Sequence, residues 1–441
     1  MATTAPIHTA PEPLSLAAVL RIPAMRRLWY AQIISVFGDF LAVFAVISVF
    51  TFRLHASPGQ ITGVQIAYLL PIAVLGILAG VFVDRWPLKP TLVTSDLLRA
   101  ALCLLLLVST RLSHFYAALA LISVVSSFFA PAQGVAIRSV VPLHGLRSAN
   151  TLMQQVVMGM RIVGPALAAF MVSSLGPRSC YWFDSASFVG SALLIASAPT
   201  LLKAGAGPAQ PGAASNPSDP TAAPAPASDS QNQTSALRRI GSDMQVGIRF
   251  ILHHAALLFV ILALASGMFV IGCFGPLIAV YVRDTLGSTN RVFGIASGLI
   301  GVGMLVGMSL LANVAKRLKD ATLVYLGLGG IALGLTLLAS VPHIWATFLG
   351  DLIIGLAVAA ILIPSQTLIQ QETPPTLMGR VGSTVMSTIL TAQIAGLVLS
   401  GILANQIGVR HVFAVCAALL AVLIVAGRLW MEPKQDSGRA G

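Results

Sequence analysis

Apolar stretches long enough to cross a lipid bilayer recur along almost the whole chain, and no other feature limits the fold as strongly. A transmembrane helix needs about 20 mostly apolar residues to span a hydrocarbon core of about 30 Å. In lipid every backbone N–H and C=O must be paired within the protein, which leaves helices and closed barrels. The segments here are of helix length rather than the shorter alternating runs of a barrel. Composition agrees: 56% of the 441 residues are hydrophobic and 9% charged, with a mean hydropathy of +0.89. The expected fold class is an all-α membrane protein with twelve transmembrane helices in two pseudo-symmetric six-helix bundles.

Spans are expected at 28–52, 63–83, 92–109, 115–137, 151–175 and 181–202, then at 257–282, 292–314, 322–341, 344–364, 381–407 and 412–429. Residues 1–27 read as a tail whose Leu-rich, Arg-bearing second half forms an interfacial helix. They lack the early basic region and apolar core of a cleavable signal peptide. The N-terminal bundle is assigned to 28–202 and the C-terminal bundle to 254–429, with a second tail at 430–441. Between the bundles, 203–253 begins as a Pro/Ala/Ser-rich stretch, expected to be disordered, and ends in apolar residues at helical spacing, expected to form an amphipathic helix.

The net charge is +12. An even number of spans puts both termini on one side, and most Lys and Arg residues fall on the tails and loops of that side, which makes it cytoplasmic. Topology therefore accounts for the basic excess, and no nucleic-acid partner is expected. Cys103, Cys180, Cys273 and Cys416 are scattered without CxxC spacing, which argues against a disulfide framework or a zinc site and for small core fillers.

The two halves repeat. FFAPAQGVAIRSVVP, from Phe128, recurs as ILIPSQTLIQQETPP, from Ile361, with Pro131, Gln133 and Pro142 matching Pro364, Gln366 and Pro375. RIVGPALAAFMVSSLGPR aligns with QIAGLVLSGILANQIGVR, so that Arg161 corresponds to Gln393 and Gly164 to Gly396. Repeated halves on a linker suit alternating access, with cargo bound near the midplane.

GVFVDRWPLKPTL, from Gly80, resembles the G-x-x-x-D-R-x-G-[RK]-[RK] signature of the major facilitator superfamily. Gly80, Asp84, Arg85 and Lys89 match, while Pro87 and Leu88 depart from it. RIVGPALAAF resembles that superfamily's antiporter motif at Gly164 and Pro165. Together with RRLWYAQIISVFGD, SDLLRA, FFAPAQ, SANTLMQ and GRVGS, the chain is similar to the drug:proton antiporter branch that includes macrolide-efflux proteins and the enterobactin exporter. The resemblance implies the major facilitator fold and proton-driven efflux of drugs or other amphipathic small molecules, a multidrug-resistance activity, from a bacterial cytoplasmic (inner) membrane. A siderophore exporter or a proton-coupled uptake carrier of the same fold are the alternatives. It also implies a latch for the outward-facing state, formed by Gly80, Asp84, Arg85, Lys89, Asp96 and Arg99 and contacting the start of span eleven near Gly379 and Arg380.

Asp39 lies about 16 Å into the first span at about 1.5 Å per residue, close to mid-bilayer. A charge there costs about 2.5 to 3.5 kcal/mol on insertion scales, so the group must be paired, protonated or wet. Arg161 is expected at similar depth. The two form either a proton-coupling pair facing the cavity or a fixed ion pair between helices. Asp351, the only acid in the second half's spans, binds a cationic substrate, carries a second proton, or lines a wet vestibule. Asp184, nearer the outer boundary, is expected to be interfacial and structural. Asp96 and Arg99, three apart, are expected to pair. Gln133 and Gln393 supply polarity to the cavity. Gly164 and Pro165 form a hinge candidate beside Arg161.

Gly76 and Gly80 in span two, and Gly294, Gly298, Gly303 and Gly307 in span eight, permit close helix approach, either as sliding contacts between halves or as plain packing. No histidine falls mid-span. No Walker lysine, HExxH or GxSxG is present, so neither an ATPase nor another enzyme is expected. No cofactor or metal is anticipated. The energy source is the proton gradient, the partners are an amphipathic small molecule and the bilayer, and the protein is expected to act as a monomer.

Overall fold

The structure is a computed structural model that describes residues 14–83, 86–198, 248–314, 318–374 and 377–431, apart from the side chains of 77, 78, 80, 81, 161, 162, 165, 166, 312–314, 430 and 431. The described residues form helices and no strand. A short α1 (Leu16–Leu20) precedes six long helices: α2 (Pro23–Ser48), α3 (Pro58–Val83), α4 (Leu88–Val108), α5 (Leu112–Val140), α6 (Leu146–Leu175) and α7 (Pro177–Ala196). Six more follow: α8 (Ala255–Val280), α9 (Asn290–Val314), α10 (Asp320–Ser340), α11 (Ile344–Glu372), α12 (Met378–Ile407) and α13 (Val409–Met431).

The two sets of six start in a fixed register. Each of the six helices in the first set begins 232 positions before its counterpart in the second, from Pro23 and Ala255 to Pro177 and Val409. Irregularities repeat with it. α2 and α8 each end in a five-residue π-helical turn, Val49–Arg53 and Tyr281–Thr285, closed by Leu54 N–H to Val49 O at 3.0 Å and Leu286 N–H to Tyr281 O at 3.1 Å. The connections from α6 to α7 and from α12 to α13 are single glycines, Gly176 and Gly408, both with φ +81, a conformation that other residues reach only with strain.

Among the described residues, ten of the twelve long helices carry a window apolar enough to span a bilayer by length and composition; α7 does not. The reason in α7 is visible in PRSCYWFDSASFVGSALLIA, where Asp184 and several serines interrupt the apolar run. Those side chains are buried in the protein, so their polarity answers other helices rather than lipid.

The chain divides into two compact units. One comprises Met1–Leu54 and Val64–Pro208, the other His55–Gly63 and Ala209–Gly441. The first turn of α3 thus groups with the second unit, where the sequence division has 28–202 as one block. In the first unit, Met25, Leu28, Val83, Leu92, Ala132, Ile137, Ala149 and Leu152 build a continuous apolar core around one end of the bundle. α1 packs onto it. Val19 is fully buried, Leu14 N–H donates to His144 O at 3.2 Å, and Ser148 Oγ donates to Leu14 O at 2.6 Å. Ser15 caps α1 by accepting from Ala18 N–H.

In the second unit the helices approach backbone to backbone. Gly303 and Gly307 of α9 lie against Leu352 and Leu356 of α11. Gly327 and Gly334 of α10 meet Ile361 and Ile354 of the same helix, and Gly396 of α12 abuts the Phe269 carbonyl of α8. The span-eight glycines Gly303 and Gly307 therefore serve packing inside one unit, as small residues do where lipid supplies no hydrophobic drive. Of the segment assigned to a linker and amphipathic helix, 203–247 lies outside the described residues and 248–253 is helical. The tail at 432–441 also lies outside them.

Candidate functional site

Two helices of the first unit carry matching polar stripes. On α4 these are Asp96, Arg99 and Cys103; on α7 they are Asp184, Ser187 and Ser191, each set at i, i+3, i+7, which brings its members to one helical face. The helices run antiparallel, so the stripes pair end to end. Ser191 Oγ donates to Asp96 Oδ2 at 2.6 Å, and Cys103 Sγ donates to Asp184 Oδ2 at 2.9 Å. Between them Ser185 Oγ donates to the Ala100 carbonyl at 3.0 Å.

Arg99 anchors the centre. Its Nη2 pairs with Asp96 Oδ1, the ion pair expected from their spacing. The guanidinium lies over the rings of Phe129 from α5, at 4.3 Å, and Phe188 from α7, at 4.4 Å. A cation between two aromatic faces is held electrostatically and loses its freedom to swing. Exposure is 0% for Asp96, 3% for Arg99 and 1% for Asp184, so water supplies little of their stabilisation.

Asp39 of α2 completes the cluster. Its polar neighbour is Tyr68 of α3, and its charged neighbours are Arg99, Asp96 and Asp184. Gly38 makes this proximity possible, because a Cβ at that position would collide with Asp184 Oδ1 and Ser187 Oγ. On the other side of α2, Gly164 of α6 sits against the Phe40 ring. The cation facing Asp39 among the described side chains is thus Arg99. The side chain of Arg161, the partner expected from sequence, lies outside them.

The remaining candidates are more dispersed. Gln133 Nε2 donates to Gln32 Oε1 at 2.6 Å, joining α5 to α2. Gln393 offers its backbone carbonyl to the face of α8 at Gly272. Lys89 Nζ donates to Ala198 O at 3.0 Å, just beyond the C-terminus of α7, where carbonyls lack helical partners. Asp84 and Arg85 and the environment of Gly80 lie outside the described residues, as does the Pro165 ring; α6 runs unbroken through 164–165. The latch grouping therefore divides: Asp96 and Arg99 are core members of the acid cluster, and Lys89 ties α4 to α7.

Asp351 stands apart, on α11 in the second unit. It is 0% exposed, and neither carboxylate oxygen has a hydrogen-bond partner among the described residues. The wet vestibule entertained for it is overturned by this burial. An ionised carboxylate at that position would lack both water and a counter-charge. Asp184 corrects the sequence reading in the same way: it is a buried hub rather than an interfacial residue. The signal that reveals it is the i, i+3, i+7 match between the two stripes, which is legible only once α4 and α7 are known to be neighbours.

Two six-helix repeats, the first of them holding a buried charge cluster, define the architecture of a polytopic membrane protein. The profile of the Major Facilitator Superfamily matches residues 28–391 and 260–441, and the chain belongs to that family. Among its relatives, the uncharacterized MFS-type transporter YfiS of Bacillus subtilis (strain 168) is 25% identical over 427 residues, covering 93% of this chain and 96% of the relative. Macrolide efflux protein A of Streptococcus pyogenes is 24% identical over 408 residues, covering 90% and 93%. Among solved structures, the nucleoside transporter NupG superposes with a TM-score of 0.63 at 14% identity, covering 92% of this chain and 98% of that one. A POT family transporter in complex with a thioalcohol conjugated peptide superposes with a TM-score of 0.66 at 10% identity, covering 93% and 96%. At such identities the structures report the fold.

Proposed function

We propose that this transporter exports amphipathic small molecules, drugs among them, in exchange for protons, by alternating access across a bacterial inner membrane with both termini cytoplasmic. The observation that carries the proposal is the charge count of the first unit's cluster. Among the described side chains, three carboxylates, Asp39, Asp96 and Asp184, surround one guanidinium, Arg99. With Asp96 bound to Arg99, Asp39 and Asp184 remain as two acids placed side by side across Gly38. Two ionised carboxylates at that spacing repel, and at this depth the bilayer screens nothing. Protons or a cationic group on the cargo can restore balance. Competition between them at one site is the chemical basis of exchange, because loading one expels the other.

The macrolide-efflux relative supports the direction and cargo class, and the absence of ATPase signatures supports a gradient as the energy source. The protein works as a monomer in this reading and needs no cofactor. Asp351 is a second proton carrier in the other unit.

The test is reconstitution into proteoliposomes with an imposed pH gradient and a fluorescent amphipathic cation as probe. Wild-type protein should move the probe against its gradient and stop when an uncoupler is added. Asp39→Asn and Asp184→Asn should each lower gradient-driven transport at least about tenfold while still binding the probe, the loss expected when about 1.4 kcal/mol or more of coupling is removed. Gradient-driven accumulation in the opposite sense would favour the uptake alternative. Undiminished coupling in both variants would remove the cluster from the mechanism.

A further inference from the structure

Two amides of the first unit meet at membrane depth with most of their hydrogen-bonding capacity unspent. Gln133 of α5 donates to Gln32 of α2 at 2.6 Å. Two primary amides carry four N–H groups and two carbonyl oxygens, so one shared bond leaves three donors and one free oxygen, whichever amide donates. No other hydrogen bond joins either side chain to the described residues. Both residues are half-buried, so the leftover groups reach a surface.

That surface is not lipid. Gln32 lies nine residues past the start of α2 at Pro23, and Gln133 seven residues before the end of α5 at Val140. Those helix ends adjoin, since Met25 and Ile137 share one core. At about 1.5 Å per residue the amides sit roughly 14 Å and 10 Å from that end. Hydrocarbon cannot satisfy N–H groups at such depth, so they face a wet path through the protein. Gln32 and Asp39 are seven apart on α2 and therefore share a helical face, about 10 Å apart along its axis. The second repeat has no such pair: at the 232-residue offset the buried Leu264 stands in the place of Gln32.

We propose that Gln32 and Gln133 form a cargo-binding subsite for an uncharged carbonyl, as in a carboxamide, ester or ketone. The proposal rests on the reading of the cargo as an amphipathic cation and narrows it. The positive group goes to Asp39, and a carbonyl two helical turns away goes to the amides. Three free donors against one free oxygen make the pair chiefly a donor, which suits an acceptor on the cargo. The bond between the amides already holds both side chains, so little ordering is needed when the carbonyl arrives.

The experiment measures equilibrium binding of two matched cations to the purified full-length protein in detergent. Tetraphenylphosphonium has no hydrogen-bonding group, and (4-carbamoylphenyl)triphenylphosphonium adds one carboxamide. Wild-type protein should bind the carboxamide cation about tenfold more tightly, the ratio expected from one or two added hydrogen bonds. Gln32→Leu and Gln133→Leu should each bring the ratio to about twofold or less. Gln366→Leu, at the position matching Gln133 in the second repeat, should keep it. Folding of each is checked by size exclusion, and methionine replaces leucine in a variant that aggregates. Equal binding of the two cations by wild type, or an undiminished ratio in either amide variant, overturns the subsite and leaves the cationic cargo standing. Failure of wild type to bind either cation removes the cationic cargo and the subsite with it.

Discussion

Arg99 decides how the first unit tolerates three acids in its core. Buried between two phenyl rings and bound to Asp96, it is the cation against which Asp39 and Asp184 are also measured. Removing one member of a buried pair leaves the other uncompensated, which typically costs about 3 to 5 kcal/mol. Arg99→Ala should therefore lower thermal stability in detergent sharply. Arg99→Leu combined with Asp96→Asn should recover a large part of the loss, because an apolar replacement of the whole pair is often neutral. Arg99→Lys should fall between, since an ammonium keeps the charge but not the planar stacking on Phe129 and Phe188. Thermal unfolding of Arg99→Leu, Asp96→Asn and the double variant, read as a double-mutant cycle, measures the coupling. A double change that costs the sum of the two single changes would mean that Asp96 and Arg99 do not act as a pair.

At the level of the helices, small residues set how close neighbours come. Gly38 lets α2 lie on the polar face of α7, and Gly396 lets α12 press against the α8 carbonyl at Phe269. Gly396→Val would force those helices apart and should cost about 1 to 3 kcal/mol, the usual range for overpacking. Gly379→Ala, at the start of α12, meets no atom within 4 Å and serves as the control. Folded yield and melting temperature compare the two. Helix existence was readable from apolar run length, and the long helices lie where those runs are. Helix ends were less so: α7 begins at Pro177 and stops at Ala196, ahead of the expected 181–202, because the chain re-enters directly after Gly176. Which polar residues meet was hidden for a different reason. Asp96 with Arg99 is local and follows from three-residue spacing. Asp184 with Cys103 is separated by many helical turns of sequence and depends on which helices adjoin.

Across the whole molecule, the register between halves exposes an asymmetry of chemistry. Asp39, Asp96, Arg99, Cys103 and Asp184 correspond at the 232-residue offset to Ile271, Leu328, Ile331, Leu335 and Cys416. Leu328, Ile331 and Leu335 are fully or almost fully buried, like Asp96, Arg99 and Cys103, which they mirror. One repeat thus fills this place with a hydrogen-bonded cluster and the other with hydrocarbon. Ile331→Arg, which writes the Arg99 side chain into the second unit, should be far more damaging than Ile331→Met, because it finds Leu328 where Arg99 finds Asp96. Expression and monodispersity of the two variants test this, and equal behaviour would mean the second unit contains an unseen polar partner.

The mirrored position also sets how each half can vary. A core joined by directional bonds between named donors and acceptors has few acceptable spellings, since each change strands a partner. A core filled by shape accepts many, provided total volume is kept. Saturation mutagenesis of the corresponding positions should therefore return a narrow alphabet at 39, 96, 99 and 184 and a broad one at 271, 328 and 331. In that picture the second unit is the half with room to drift, and adaptation to a new cargo would accumulate there first.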